Sequence, residues 1–200
     1  MTGMRSLIVV LIVLAVVVGG ILVWAVGINN TLVSQDQAVG SQWAQVQNVY
    51  QRRADLIPNL VETVKGYAAH ERSVLEEVTR ARASATSVQL TPEALSDPEA
   101  MKRFQAAQNQ LTGALSRLLV TVEKYPDLKA NQNFMALQTQ LEGTENRITV
   151  ERQRYNDVVR EYNVRVRRIP DRFVASAAGY EPKAFFEATP DAQTPPRVKF

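Results

Sequence analysis

Leu7 to Ile28 reads LIVVLIVLAVVVGGILVWAVGI, 22 residues without a charge or a strongly polar group. As a helix this run measures about 33 Å at 1.5 Å per residue. That is enough for the ~30 Å hydrocarbon core of a bilayer. The run is longer than the apolar stretch of a cleaved signal peptide, and VWAVGINN behind it is a poor cleavage site. An uncleaved membrane anchor is therefore expected, with Trp24 at an interfacial position. Arg5 flanks the anchor on one side, whereas Asn29 to Gln51 carries no Lys or Arg. The positive-inside rule then places the N-terminus in the cytoplasm and the rest of the chain outside. Ala15 and Gly19 have the small-xxx-small spacing that can pack two anchors together, although ordinary anchor composition explains them as well.

Beyond the anchor the apolar residues recur in sevens. Trp43, Tyr50, Ile57 and Val64 form one row, resumed at Val78; Ala54, Val61, Ala68 and Leu75 form a second. Alternating steps of four and three mark a core-facing helical stripe. Glu71 interrupts the first row, and Pro58 lies within the stripe without changing its phase. The reading is one long helix, about Asp36 to Ala83, bent at Pro58. The alternative is a fresh helix capped by Asp55 with Pro58 in its first turn. Either way the Ala54 carbonyl loses its helical partner, and Arg52, Arg53 and Asn59 are the nearby groups that could replace it.

Thr91-Pro92 and Asp97-Pro98 are helix-start signals. A second helix is expected over about 98–124, a third over about Asn131 to Arg168, and a short fourth over Asp171 to Ala178, stopped by Gly179. GYEPKAFFE could begin a further turn. The third helix has a strict row: Phe134, Leu141, Ile148, Tyr155, Tyr162, Ile169. No strand pattern of any length occurs. The fold class is all-α, an N-terminal transmembrane helix followed by an antiparallel long-helix bundle of the four-helix type. The chain divides into a flank (1–6), the anchor (7–28), the bundle (29–187) and a disordered tail (188–200).

QRRADLIPNLVETVKGYAAHE, together with YPDLKANQNFMALQTQLEGTENRITVERQRYNDVVREYNVRVRRIPDRFVASAAGYEPKAFFE, closely resembles the LemA family of bacterial membrane proteins. The resemblance extends over the anchor and nearly everything to Glu187. It implies one N-terminal membrane helix, a soluble antiparallel bundle and no established enzymatic activity. Members of that family are often described with a short extracellular N-terminus and a cytoplasmic domain, opposite to the orientation that the flanking charge favours.

The residues exclude several chemistries. There is no cysteine and only one histidine, His70. A di-iron carboxylate bundle wants two Glu-x-x-His motifs, and HERSV is not the zinc-protease motif. No nucleophile elbow or phosphate loop is present. No catalytic group, cofactor or metal is expected, and His70 reads first as a surface or packing residue. Net charge is +3, too small to argue for nucleic acid. The third helix is locally basic: residues 147–172 hold eight arginines against four acidic residues. Such a face either touches anionic lipid or an acidic partner, or is solvated and locally paired, as Glu161 with Arg165 would be.

Polar residues inside apolar rows stand out. Thr144 and Glu145 fall on the stripe of the third helix, and Glu71 on that of the first. Buried carboxylates need partners. Arg52, Arg53, Asn59, Glu62, Glu142, Asn146 and Arg147 are candidates for a shared network that fixes helix register. Tyr155-Asn156 and Tyr162-Asn163 repeat at seven residues, with tyrosine in the core and asparagine reaching a neighbouring helix; a ligand groove is the minor alternative. Functionally, the preferred expectation is a non-enzymatic anchored bundle that binds protein partners at the bacterial cell envelope. A small-ligand or metal sensor, or an enzyme, would instead use the Glu71, Glu145 and Arg147 region. A self-assembling membrane scaffold, hence a homo-oligomer, is a third option.

Overall fold

A computed structural model of the chain describes residues 2–68 and 70–187, the side chains of 2 and 4–6 excepted. The expected tail, 188–200, lies outside the described residues. The architecture is the expected all-α bundle, and no strand occurs among the described residues.

Helix α1 runs Thr2–Tyr67 without interruption, through the apolar run into the bundle and on past Pro58. Its apolar N-terminal side chains are exposed from Leu7 to Val26; Ile28 and Leu32, by contrast, are buried in the bundle core. The core thus begins one residue inside the expected anchor. Helix α2 is Arg72–Ser87, followed by a 3-10 turn, Glu93–Ser96. Helix α3 is Pro98–Val122, started by Asp97, whose carboxylate accepts from the Glu99 N–H at 2.8 Å. A single turn, α4 (Pro126–Lys129), leads to α5, Gln132–Arg167, where Asn131 caps by accepting from the Phe134 N–H. Helix α6 is Asp171–Ala178, closed by Gly179 at φ 78°, a left-handed conformation that suits glycine.

The expected single helix from Asp36 to Ala83 is wrong at both ends. It starts at Thr2, ahead of the apolar run, and the chain leaves it at Ala68 to fold back as α2. The physical reason lies in the rows themselves. Both arms of this hairpin face one core, so the sevenfold pattern keeps its phase across the turn. The turn falls where the first row failed, at Glu71. Residues 180–187 are likewise extended, not a further helical turn.

Helices α1, α2, α3 and α5 run up, down, up and down, a four-helix arrangement. Its halves differ. In the half far from the apolar segment all four helices meet around Ile57, Leu60, Val64, Val78, Leu115, Leu118 and Leu141. In the near half α2 is missing: 16 residues reach only about 24 Å, against about 54 Å for α5. The extended strap 181–187 and the loop carrying Leu90 and Leu95 fill the fourth place, around Trp43, Tyr50, Phe104, Tyr155 and Phe186.

Candidate functional site

A layer of polar side chains separates these two apolar clusters. Arg53, only 1% exposed, is its centre. Its Nη1 donates to Glu145 Oε1 at 2.8 Å and Thr112 Oγ1 at 2.9 Å, and its Nη2 to Gln108 Oε1 at 2.6 Å. Gln108 Nε2 then donates to the Ala85 carbonyl at 3.1 Å. One guanidinium therefore ties together α1, α3 and α5 and, through Gln108, the end of α2. The guanidinium carbon also lies 5.1 Å from the Tyr50 ring centre. A buried arginine is tolerable when its charge is matched and its donors are used. Glu145 matches the charge, and of the three guanidinium nitrogens of Arg53 only Nε lacks an acceptor.

Pro58 sits beside this layer and is exposed. The Ala54 carbonyl that it deprives of a partner accepts instead from Arg82 Nε of α2, at 2.7 Å. None of the locally expected groups does this. Arg52 and Asn59 are exposed, and the donors of Arg53 point into the layer.

The second constellation is the clamp on the strap. Asn163 Nδ2 donates to the Lys183 carbonyl and Asn163 Oδ1 accepts from the Lys183 N–H, both at 2.8 Å. Asn156 treats Phe186 identically, at 2.9 and 2.8 Å. Tyr162 donates to the Glu181 carbonyl and Tyr155 to the Ala184 carbonyl. Each tyrosine–asparagine pair thus reads two strap residues as a neighbouring β-strand would. The spacing explains the repeat. Seven helical residues rise about 10.5 Å, and three extended residues cover about 10 Å. Phe186 anchors the strap, edge-on to Tyr155 at 5.3 Å and stacked on Trp43 at 6.0 Å. Burial raises the pKa of both Tyr155 and Tyr162 well above the ordinary tyrosine value. The asparagines therefore reach an extended segment of their own chain, where a neighbouring helix had been expected.

The remaining candidates do not join one network. Glu71 accepts from the Tyr125 hydroxyl at 3.0 Å, at the far end of the bundle, and this bond raises the pKa of Tyr125. Asp55 accepts from Gln51, Glu62 lies 3.5 Å from Lys65, and Glu142 accepts from Gln138; all three carboxylates are exposed. His70, Asn146 and Arg147 are exposed too. On the stripe of α5 it is Thr144, 2% exposed, that is fully buried, its hydroxyl returned to the Gln140 carbonyl. Sequence reasoning missed Gln108, Thr112 and Arg82. Gln108 falls among the apolar positions of α3 and was the readable signal. Among the described residues no three His, Asp or Glu side chains come together as metal ligands.

Two open grooves flank the far half. One, of about 700 Å³ between α1 and α2, has Val61, Leu75, Thr79 and Ala83 in it, rimmed by Glu62, Lys65, Arg72, Glu76 and Arg80. The other, of about 340 Å³ between α3 and α5, is lined by Thr112, Ser116, Leu119, Glu145 and Asn146.

Fold and polar layer together define a class: a helical-bundle protein whose first helix is long and apolar enough to cross a membrane. The LemA family model matches residues 42–200, most of the chain, beginning downstream of the apolar run and continuing to its last residue. The chain belongs to the LemA family. No curated protein matched it.

Proposed function

We propose that this chain is a non-enzymatic, single-pass membrane protein that holds its bundle at the bacterial cell envelope and presents a protein-docking surface. Helix α1 supports the anchor: its apolar side chains are exposed until the bundle core begins. The flanking charge favours an extracytoplasmic bundle. The observation that carries the docking role is the groove between α1 and α2. It is the more apolar of the two far-half grooves, it lies at the end remote from the anchor, and its rim bears both signs of charge. A groove between antiparallel helices suits an amphipathic partner helix with an apolar stripe flanked by both charges. Ala83 is exposed in this groove, so Ala83→Trp fills it without touching the core. A photocrosslinker at Thr79 should give a discrete adduct that Ala83→Trp abolishes, while one at Thr149, on α5, gives none. Equal adducts at both positions would refute the docking role.

The polar groove between α3 and α5 supports a second reading, a small-ligand sensor, because Glu145 links its wall to the buried Arg53. A thermal-shift screen of metabolites against the full chain in detergent tests it. A stabilising compound whose effect is lost in Asn146→Ala would favour the sensor.

A further inference from the structure

The end of the bundle nearest the apolar segment carries arginines and large exposed apolar side chains together. Ile169 and Phe173 are 68% and 67% exposed, among the most exposed apolar side chains outside the anchor. Around them lie Arg167, Arg168 and Arg172. Asp171 is buried, 2.7 Å from Arg165 and 3.0 Å from Arg168. Arg167 and Arg172 are exposed and, among the described residues, form no ion pair.

The register of α1 against α5 sets the height of this patch. Tyr67 bonds Asn131, Arg53 pairs with Glu145, and Asp36 meets Lys183, whose backbone Asn163 holds. Each step along α1 is matched, to within one residue, by a step back along α5. Carried two residues past the end of α5, this register puts Ile169 about level with Asn29. Val26 is the last strongly exposed apolar residue of the anchor, and Asn29 follows it by about 5 Å of helix. The headgroup layer of a bilayer is about 5–7 Å deep on each side. The patch therefore stands in that layer whenever α1 spans the membrane. A cleft of about 420 Å³ opens beside it, lined by Arg160, Val164, Arg167, Arg168 and Phe185. Guanidinium groups above an apolar floor suit a phosphate headgroup with its attached chains.

We propose that this face, centred on Arg167, Ile169, Arg172 and Phe173, seats on anionic lipid headgroups of the leaflet from which α1 emerges. The proposal rests on the membrane reading above. Basic and apolar side chains interleaved on a short amphipathic helix are the chemistry of an interfacial contact. Here the contact fixes the tilt of the whole bundle, because α6 packs against both α1 and α5.

The chain has no cysteine, so Ser176→Cys on the exposed side of α6 and Lys124→Cys at the far end each take a single environment-sensitive fluorophore. The full chain is placed in nanodiscs of phosphatidylcholine alone or mixed with phosphatidylglycerol, both doped with headgroup-nitroxide lipid. Quenching at position 176 should exceed that at 124. It should rise roughly twofold or more with phosphatidylglycerol, and this increment should fall with salt. Arg167→Glu with Arg172→Glu should remove the increment while leaving the circular-dichroism melt unchanged; Arg167→Gln with Arg172→Gln serves if the reversal does not fold. Equal quenching in both lipids, or an increment that survives these variants, would overturn the proposal. A chain that does not enter the discs at all would overturn the membrane reading, and the proposal with it.

Discussion

Pro58 and Arg82 can be tested as a coupled pair. The proline removes the N–H that would have bonded the Ala54 carbonyl, and Arg82 supplies a charged donor at 2.7 Å. Hydrogen bonds to charged groups contribute about 1.5–3 kcal/mol. Arg82→Met keeps much of the aliphatic stem and should cost about 2 kcal/mol. In Pro58→Ala the residue 58 N–H is restored, and because Pro58 is exposed nothing is unpacked. Arg82→Met in that background should then cost less than about 0.5 kcal/mol. The coupling in the double-mutant cycle should thus be about 1.5 kcal/mol.

Urea unfolding of the full chain in mild detergent, followed by the buried Trp43, measures all four proteins. The slope with denaturant should not change. In thermal unfolding the single Arg82 variant should lose about 4–8 °C. If Arg82→Met costs the same with and without the proline, the Arg82 bond is not a replacement for the lost helical bond. The account of why an interior proline is tolerated would then be wrong.

Phe186→Ala should destabilise by about 3–5 kcal/mol through the cavity left against Trp43 and Tyr155, read by urea unfolding. Asn156→Ala leaves both backbone groups of Phe186 without partners and should cost about 1–3 kcal/mol; hydrogen exchange should accelerate in 183–187 before it does elsewhere. The raised pKa of Tyr155 and Tyr162 means that folding favours the neutral hydroxyls. This stabilisation is complete below the ordinary tyrosine pKa of about 10 and is lost as pH climbs beyond it. Alkaline unfolding should therefore start above about pH 10, and Tyr155→Phe with Tyr162→Phe should flatten that limb. For orientation, Lys124→Cys should react with a membrane-impermeant maleimide on intact cells; reaction only after lysis would reverse the reading from flanking charge.

The rows of seven were enough to read the bundle because burial imposes them wherever a helix faces a core. Their limit shows where α1 gives way to α2. A tight hairpin returns the chain to the same core, so periodicity alone does not distinguish a hairpin from a continuous helix. The useful signal there was the failed row at Glu71, not the proline. Proline was the weaker breaker because its one lost bond could be replaced from another helix. The donor, Arg82, lies 28 residues away in sequence, beyond any local search around Ala54. Arg53 and Glu145 were both readable as polar residues that need partners. Their pairing with each other was not, since register between α1 and α5 depends on the loops joining them.

The strap shows why part of the site stayed hidden. Residues 181–187 have no periodicity, because Glu181, Lys183, Ala184, Phe186 and Glu187 are held by side chains of α5 and not by a pattern of their own. The repeat on α5 was visible, but a twofold tyrosine–asparagine spacing of seven is equally suited to helix packing. The deciding fact is the length of α2. With α2 ending at Ser87, the near half of the bundle lacks its fourth helix, and an extended segment antiparallel to α5 closes it. An extended chain packs a thinner layer than a helix, and Phe186 compensates by reaching into the Trp43 cluster. The strap also brings Lys183 against Asp36 and Phe185 against the arginine-lined cleft. A longer α2 would close the near half without the strap, and Phe185 would then leave that cleft. The short second helix thus couples closure of the core to the composition of the face proposed to seat on the membrane.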